Sequence, residues 1–183
     1  MIETERLRLF PHSPEQLRAL VDEPARYEQL SGFPAADGFR EFFVSGEVSE
    51  DWLASLREMS SPDPWRLGFA VVHPESRAVI GTGAFKGPAD QNGVVEIAYG
   101  IAPEHQSRGY ATEVARALIA YAMESSSVKV IRAHTLPSAN ASTKVLTKCG
   151  FEFIGEVFEP DDGLVWRWEL TRKSVDPNQA RPQ

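Results

Sequence analysis

Gln106-Ser107-Arg108-Gly109-Tyr110-Ala111 is the stretch on which the reading of this chain turns. Before it, residues 94–102 form an apolar run that stops at Pro103, which has no N–H to give to a sheet ladder. After it, Ala111, Val114, Ala115, Leu118, Ile119, Ala122 and Met123 recur on one face of a 3.6-residue period and predict a helix over 109–124. A strand, a polar loop and a long helix therefore follow one another. The first amides of a helix have no internal partners and carry the positive end of its dipole, so such a loop is a natural seat for a pyrophosphate. Gly109 lets the backbone come close to the phosphates. The run lacks the three spaced glycines of the dinucleotide fingerprint and the Gly-Lys-Ser/Thr of a Walker loop.

Outward from this loop the chain reads as alternating strands and helices. C-terminal to it come a strand over 130–135, a helix over 139–148 and a hairpin of 151–158 with 164–170. Asp162-Gly163 is a favoured hairpin turn, and Leu164, Trp166, Trp168 and Leu170 alternate onto one face. N-terminal to it, strands over 66–73 and 77–85 are joined by Pro74-Glu75-Ser76, with a polar loop over 87–93. Residues 6–10 read as a strand, and Ser13-Pro14-Glu15-Gln16 caps a helix over 14–22 with Leu17, Leu20 and Val21 inward. Ser49 reads as the cap of a helix carrying Trp52, Leu53, Leu56 and Met59. Residues 23–48 hold Tyr27, Leu30, Phe33, Phe39, Phe42 and Phe43 in no single period. The expectation is one α/β domain over 1–173, a mixed, mostly antiparallel sheet of six to seven strands flanked by helices, and a disordered polar tail over 174–183.

Composition bounds the function. The 183 residues, 42% hydrophobic, suit a single core. Nineteen Lys and Arg against 26 Asp and Glu leave a net charge of −7, without the basic field that non-specific nucleic-acid binding needs. Cys149 is the single cysteine, which excludes an intramolecular disulfide and fits a reducing cytoplasm. The four histidines have no metal-ligand spacing. The opening residues lack the basic and apolar regions of a secretory signal, and no run approaches the ~20 apolar residues of a membrane span, so the expected protein is cytoplasmic with neither membrane nor nucleic acid as partner.

The loop, with four further stretches, resembles the GNAT superfamily of N-acetyltransferases, and within it the RimJ/RimL-type branch. Thr4-Glu5-Arg6-Leu7-Arg8-Leu9 is similar to the opening strand of that branch, Val95-Glu96-Ile97-Ala98-Tyr99-Gly100 to its central strand, and Ala111-Thr112-Glu113 to its helix start. Asn140-Ala141-Ser142 through Gly150-Phe151 is similar to its last helix and strand. The resemblance runs almost to Arg172. It implies acetyl-CoA as co-substrate, a central strand splayed from its neighbour, and pantetheine pairing near Ile101. It also implies cofactor contacts from Gln106, Ser107, Arg108, Gly109, Tyr110, Ala111 and Thr112, with Asn140 on the pantetheine arm and no metal. Two departures stand out. Asn140 is two residues before Ser142 where the branch has three, and 145–148 lack the tyrosine that many relatives use as general acid.

Acetyl transfer requires a neutral amine, yet alkylamines have pKa values of about 10.4 and N-terminal amines about 8. The implied base is Glu96, on the central strand, and the implied acid is Ser142, as in some relatives, or water. Backbone amides near Ile101 would hold the oxyanion. The expected acceptor is a small-molecule amine or a protein N-terminus, and the expected assembly a monomer or homodimer. The alternative from another class is a non-catalytic acyl-CoA-binding sensor module that retains the loop.

Overall fold

A computed structural model describes residues 1–44, 50–160 and 162–172. Period-two burial makes the sheet a partition between two cores. Along the strand Phe69–His73, Phe69 and Val71 enter one core while Ala70 and Val72 enter the other. Among the described residues there are eight strands: β1 (Ile2–Glu3), β2 (Arg8–Pro11), β3 (Phe69–His73), β4 (Ala78–Phe85), β5 (Val94–Ile101), β6 (Val130–Thr135), β7 (Glu152–Glu159) and β8 (Gly163–Thr171). They lie in the order β1-β2-β3-β4-β5-β6-β8-β7, and every pairing is antiparallel except β5 with β6. This is the mixed, mostly antiparallel sheet expected from the pattern.

Helices α1 (Pro14–Asp22), α2 (Pro24–Ser31), α3 (Glu41–Val44) and α4 (Glu50–Glu58) belong to one face, whose core holds Leu17, Tyr27, Phe39 and Leu56. The single-turn helix α5 (Pro64–Leu67) leads into β3. Helices α6 (Tyr110–Glu124) and α7 (Ala141–Lys148) cover the other face, where Val114, Leu118 and Leu146 are completely buried against Val71, Ile80 and Ile131. Truncating such a residue to alanine costs roughly 2–5 kcal/mol.

Several boundaries differ from the sequence reading, each for a local reason. Residues 66–73 do not begin as a strand, because Asp63 accepts from Trp65 N and caps α5 around Pro64, and Gly68, at φ 66°, ends it. The cap signal outweighs the alternation. The expected first strand at 6–10 is displaced, because Thr4 and Leu7 close a turn through Thr4 N→Leu7 O at 3.0 Å. Ile2–Glu3 then becomes a strand of its own, which raises the count to eight. Residues 23–44 resolve into α2, ended by left-handed Gly32, an Ala35–Val79 bridge and α3. Ser49 and the tail over 174–183 lie outside the described residues.

One irregularity positions the site. β5 pairs with β6 only at Val94↔Val130, Val95↔Ile131 and Glu96↔Arg132, while its pairing with β4 continues to Ile101. The central strand is thus splayed from its neighbour beyond Glu96. On the β4 side, Ala102 N donates to Ile80 O and Lys86 N to Glu96 O. Hydrogen bonds of an antiparallel ladder alternate, so Ala98 and Gly100 also bond towards β4. The N–H groups of Tyr99 and Ile101 therefore point into the gap that β6 vacates, beyond the last parallel rung at Glu96↔Arg132.

Candidate active site

The end of the gap opens into a cleft of about 600 Å³ between β5 and the first turns of α6 and α7. A 3-10 turn at Pro103–His105 brings the chain round from β5, and the Gln106 side chain then donates from Nε2 to Ile101 O at 2.9 Å. That bond uses the Ile101 carbonyl and leaves its amide free in the gap. The loop passes through two left-handed residues, Ser107 at φ 61° and Gly109 at φ 84°, and Gly109 becomes the N-cap of α6. Gln106 N is taken by Pro103 O and Thr112 N by Gly109 O. The amides of Ser107, Arg108, Gly109, Tyr110 and Ala111 have no acceptor among the described residues.

Of the residues expected to hold the cofactor, Ile101, Gln106, Ser107, Gly109, Tyr110, Ala111 and Thr112 line this cleft. Asn140 and Ser142 join them from α7. Asn140 is also the helix cap: its Oδ1 accepts from Thr143 N at 3.0 Å, and Thr143 Oγ1 accepts from Asn140 N. Arg108 is absent from the lining and contributes to the loop through its backbone. The cations that do line the cleft are Lys144 and Lys148. Their i, i+4 spacing on α7 marks a common face, but only the fold reveals that this face meets the loop. The role of Gly109 also shifts, since a Cβ there would point at Arg6 Nη2, 3.4 Å away, and the glycine is required by its φ.

Tyr110 is anchored from behind. Ser76 N–H donates to His73 Nδ1 at 3.2 Å, so His73 Nε2 carries the proton and faces Tyr110 Oη at 2.9 Å. Cys149 is buried behind the cleft, and burial pushes its thiol above the ordinary range. The Tyr99 hydroxyl is buried without a partner among the described residues, and burial raises its pKa likewise.

Glu96 is absent from the cleft lining and lies on the opposite face of the sheet, alternating with buried Val95 and Ile97. This is also the face on which the Phe42 ring covers Gly100. Glu96 is the last paired residue of β5 before the fork, with its side chain 19% exposed. Lys86 Nζ lies 2.8 Å from its Oε1. Burial alone would lower the Lys86 ammonium, but its contacts with Glu96 and Asp162 raise it. His134 Nδ1 approaches the same Oε1 at 3.1 Å, a close approach without hydrogen-bond alignment. Arg167 Nε–H donates to His134 Nε2 at 3.3 Å, so neutral His134 carries its proton on Nδ1, towards Glu96. Both neighbours converge on Oε1, and Oε2 has no partner among the described residues. Lys86, His134 and Arg167 escaped the sequence reading because they come from three separate strands or strand ends.

A mixed sheet forked beside an amide-lined loop at a helix N-terminus defines the acetyltransferase architecture. A sequence profile of the acetyltransferase (GNAT) domain matches residues 6–152, and the chain belongs to that family. It is 32% identical over 157 residues to the uncharacterised N-acetyltransferase YoaA of Bacillus subtilis (strain 168), covering 83% of this chain and 82% of the relative. Its fold is similar to that of a ribosomal-protein-S5-alanine acetyltransferase from Vibrio fischeri, with a TM-score of 0.64 and 17% identity over 96% of this chain and 98% of that one. It is also similar to an aminoglycoside acetyltransferase in complex with coenzyme A, with a TM-score of 0.61 and 19% identity over 92% and 96% of the two chains.

Proposed function

We propose that this protein transfers the acetyl group of acetyl-CoA to a primary amine by direct attack. The observation that carries the reading is the pairing of the two faces at the fork: free backbone amides at the loop and at Ile101 on one side, and the Glu96 carboxylate on the other. The diphosphate would be held by the amides of residues 107–111, with Lys144 and Lys148 adding charge, and the pantetheine arm would pair with the unbonded edge of β5. The Ile101 amide would stabilise the tetrahedral oxyanion without reorganisation. Glu96 would accept the amine proton at Oε2, directly or through water, while Lys86 holds Oε1.

The step balances with no further reactant. The ammonium gives one proton to Glu96, which later returns it to solvent. The amine lone pair forms the C–N bond, the C–S bond breaks, and the second N–H proton reaches the leaving thiolate through water or through Ser142, whose hydroxyl takes up one proton as it gives one. A thiol pKa near 8.5 asks little of that acid.

A RimJ/RimL-like specificity, with a protein N-terminus or a small amine as acceptor, is supported by the fold shared with the S5-alanine and aminoglycoside enzymes. The test is release of free thiol from acetyl-CoA across peptide N-termini, aminoglycosides, polyamines and amino-acid derivatives. Turnover with at least one class is expected. Tight coenzyme A binding with no turnover on any amine would favour the sensor reading instead.

A further inference from the structure

The segment before β2 reaches over 100 residues along the chain to grip the loop. Glu113, in the first turn of α6, has its side chain only 13% exposed and takes four donors from this segment. Thr4 Oγ1 donates to its Oε1 at 2.6 Å and Arg6 N at 2.8 Å, while Arg6 Nε donates to Oε2 at 2.9 Å and Nη2 lies 2.7 Å from it. Partial burial works against ionisation of Glu113, but these bonds outweigh it and hold the carboxyl below its ordinary range. An exposed ion pair adds little stability by itself, so the consequence is orientation. With two of its nitrogens fixed on Glu113, the guanidinium sits over the Tyr110 ring, its Cζ 4.6 Å from the centroid. Its third nitrogen, Nη1, donates to Arg108 O at 2.9 Å.

That last bond sets a peptide plane. In a trans peptide the C=O and the following N–H point in opposite directions. Holding the Arg108 carbonyl outward on Arg6 therefore turns the Gly109 N–H away from Arg6, towards the cleft that Gly109 lines. The neighbouring left-handed residues, Ser107 and Gly109, make this plane the one most in need of an external hold. We infer that Arg6 is the positioning residue of the diphosphate site: through Glu113 and the Arg108 carbonyl it locks the loop amides in their anion-binding orientation, although it does not itself line the cleft.

This rests on the acetyl-CoA reading above, and two donors separate the alternatives. Acetyl-CoA carries the diphosphate, whereas S-acetylpantetheine lacks it. In Arg6→Ala the KM for acetyl-CoA and the Kd for coenzyme A by calorimetry should rise about 10- to 100-fold, the span of a lost charge-assisted contact. The kcat should stay within about threefold, and kcat/KM for S-acetylpantetheine should be unchanged. Arg6→Lys keeps the charge but not the planar fork, so it should show the same split more weakly, and it also serves if the alanine variant fails to fold. Equal losses with both donors would make Arg6 a general stability element, and unchanged coenzyme A affinity in Arg6→Lys and Arg6→Ala would remove its role. If wild type bound no coenzyme A, the donor reading itself would fall and this inference with it.

Discussion

His12 should make the protein acid-labile. Its side chain is completely buried between Phe39 and Phe43, with ring centroids 6.4 and 6.1 Å away, and neither ring nitrogen has a partner among the described residues. Burial drives its pKa from 6.5 to about 3. A base with a depressed folded pKa stabilises the fold fully above the unfolded pKa, and that contribution is lost as pH falls from 6.5 towards 3. At pH 5 the folded imidazole is still neutral while the unfolded one is almost wholly protonated. The protonation term, RT ln(1 + 10^(pKa−pH)) for the unfolded chain, removes about 2 kcal/mol between pH 7 and pH 5. The limit below pH 3 is roughly 5 kcal/mol. Urea denaturation of wild type and His12→Leu at both pH values isolates this term, because every other titration is shared. The variant should lose about 2 kcal/mol less than wild type, and it should be at least as stable at pH 7, since it also removes two unpaired buried nitrogens that cost roughly 1–3 kcal/mol. Equal losses in the two proteins would show that His12 finds a proton partner in the folded state and would refute the argument.

Three further outcomes follow from the site. Glu96→Gln should lower kcat by about 10²–10⁴-fold, measured by thiol release, while leaving coenzyme A affinity within a few-fold by calorimetry; a wild-type kcat would transfer the base role elsewhere. Gly81→Ala would drive a Cβ into Gly100 O and to 2.8 Å from Ile101 Cδ1, so β4 and β5 must part at the fork. A destabilisation of about 1–3 kcal/mol in thermal or urea melts is expected, with weakened donor binding beside it. Ser142→Ala should reduce kcat by less than about tenfold, because a leaving thiol of pKa near 8.5 is readily protonated by water; a larger loss with unchanged donor KM would make the hydroxyl the principal acid.

The parts of this molecule that were legible in its sequence are those governed by local periodicity. α6 was readable from its apolar stripe, β6 from its alternation and α1 from the Ser13-Gln16 capping box, which forms as expected. The loop at 106–111 was readable because a left-handed glycine opening a helix leaves a local signature. The aromatic segment before α4 was not, since α2 and α3 gain their order from packing on Leu17, Leu20 and Val79 rather than from their own period. The same limit applies to the site. Glu96 could be picked out on its strand, but its neighbours Lys86, His134 and Arg167 are assembled by strand order. Nor does any local rule direct Arg6 to a carbonyl 102 residues away.

The outermost strand carries a consequence for the behaviour of the protein in concentrated solution. Among the described residues, β7 ends the sheet with one side of its backbone unpaired and with Phe153, Ile154 and Phe158 exposed, the last at 76%. An open, apolar edge of this kind is a template for indiscriminate strand addition. Yet its sequence, Glu-Phe-Ile-Gly-Glu-Val-Phe-Glu, holds three carboxylates and no cation. Two such edges brought together would set like charges against one another, on chains that already repel at a net charge of −7. The glutamates act as gatekeepers, keeping dispersed a molecule whose apolar rim would otherwise nucleate aggregates, and that protection weakens as acid or high salt removes or screens their charge.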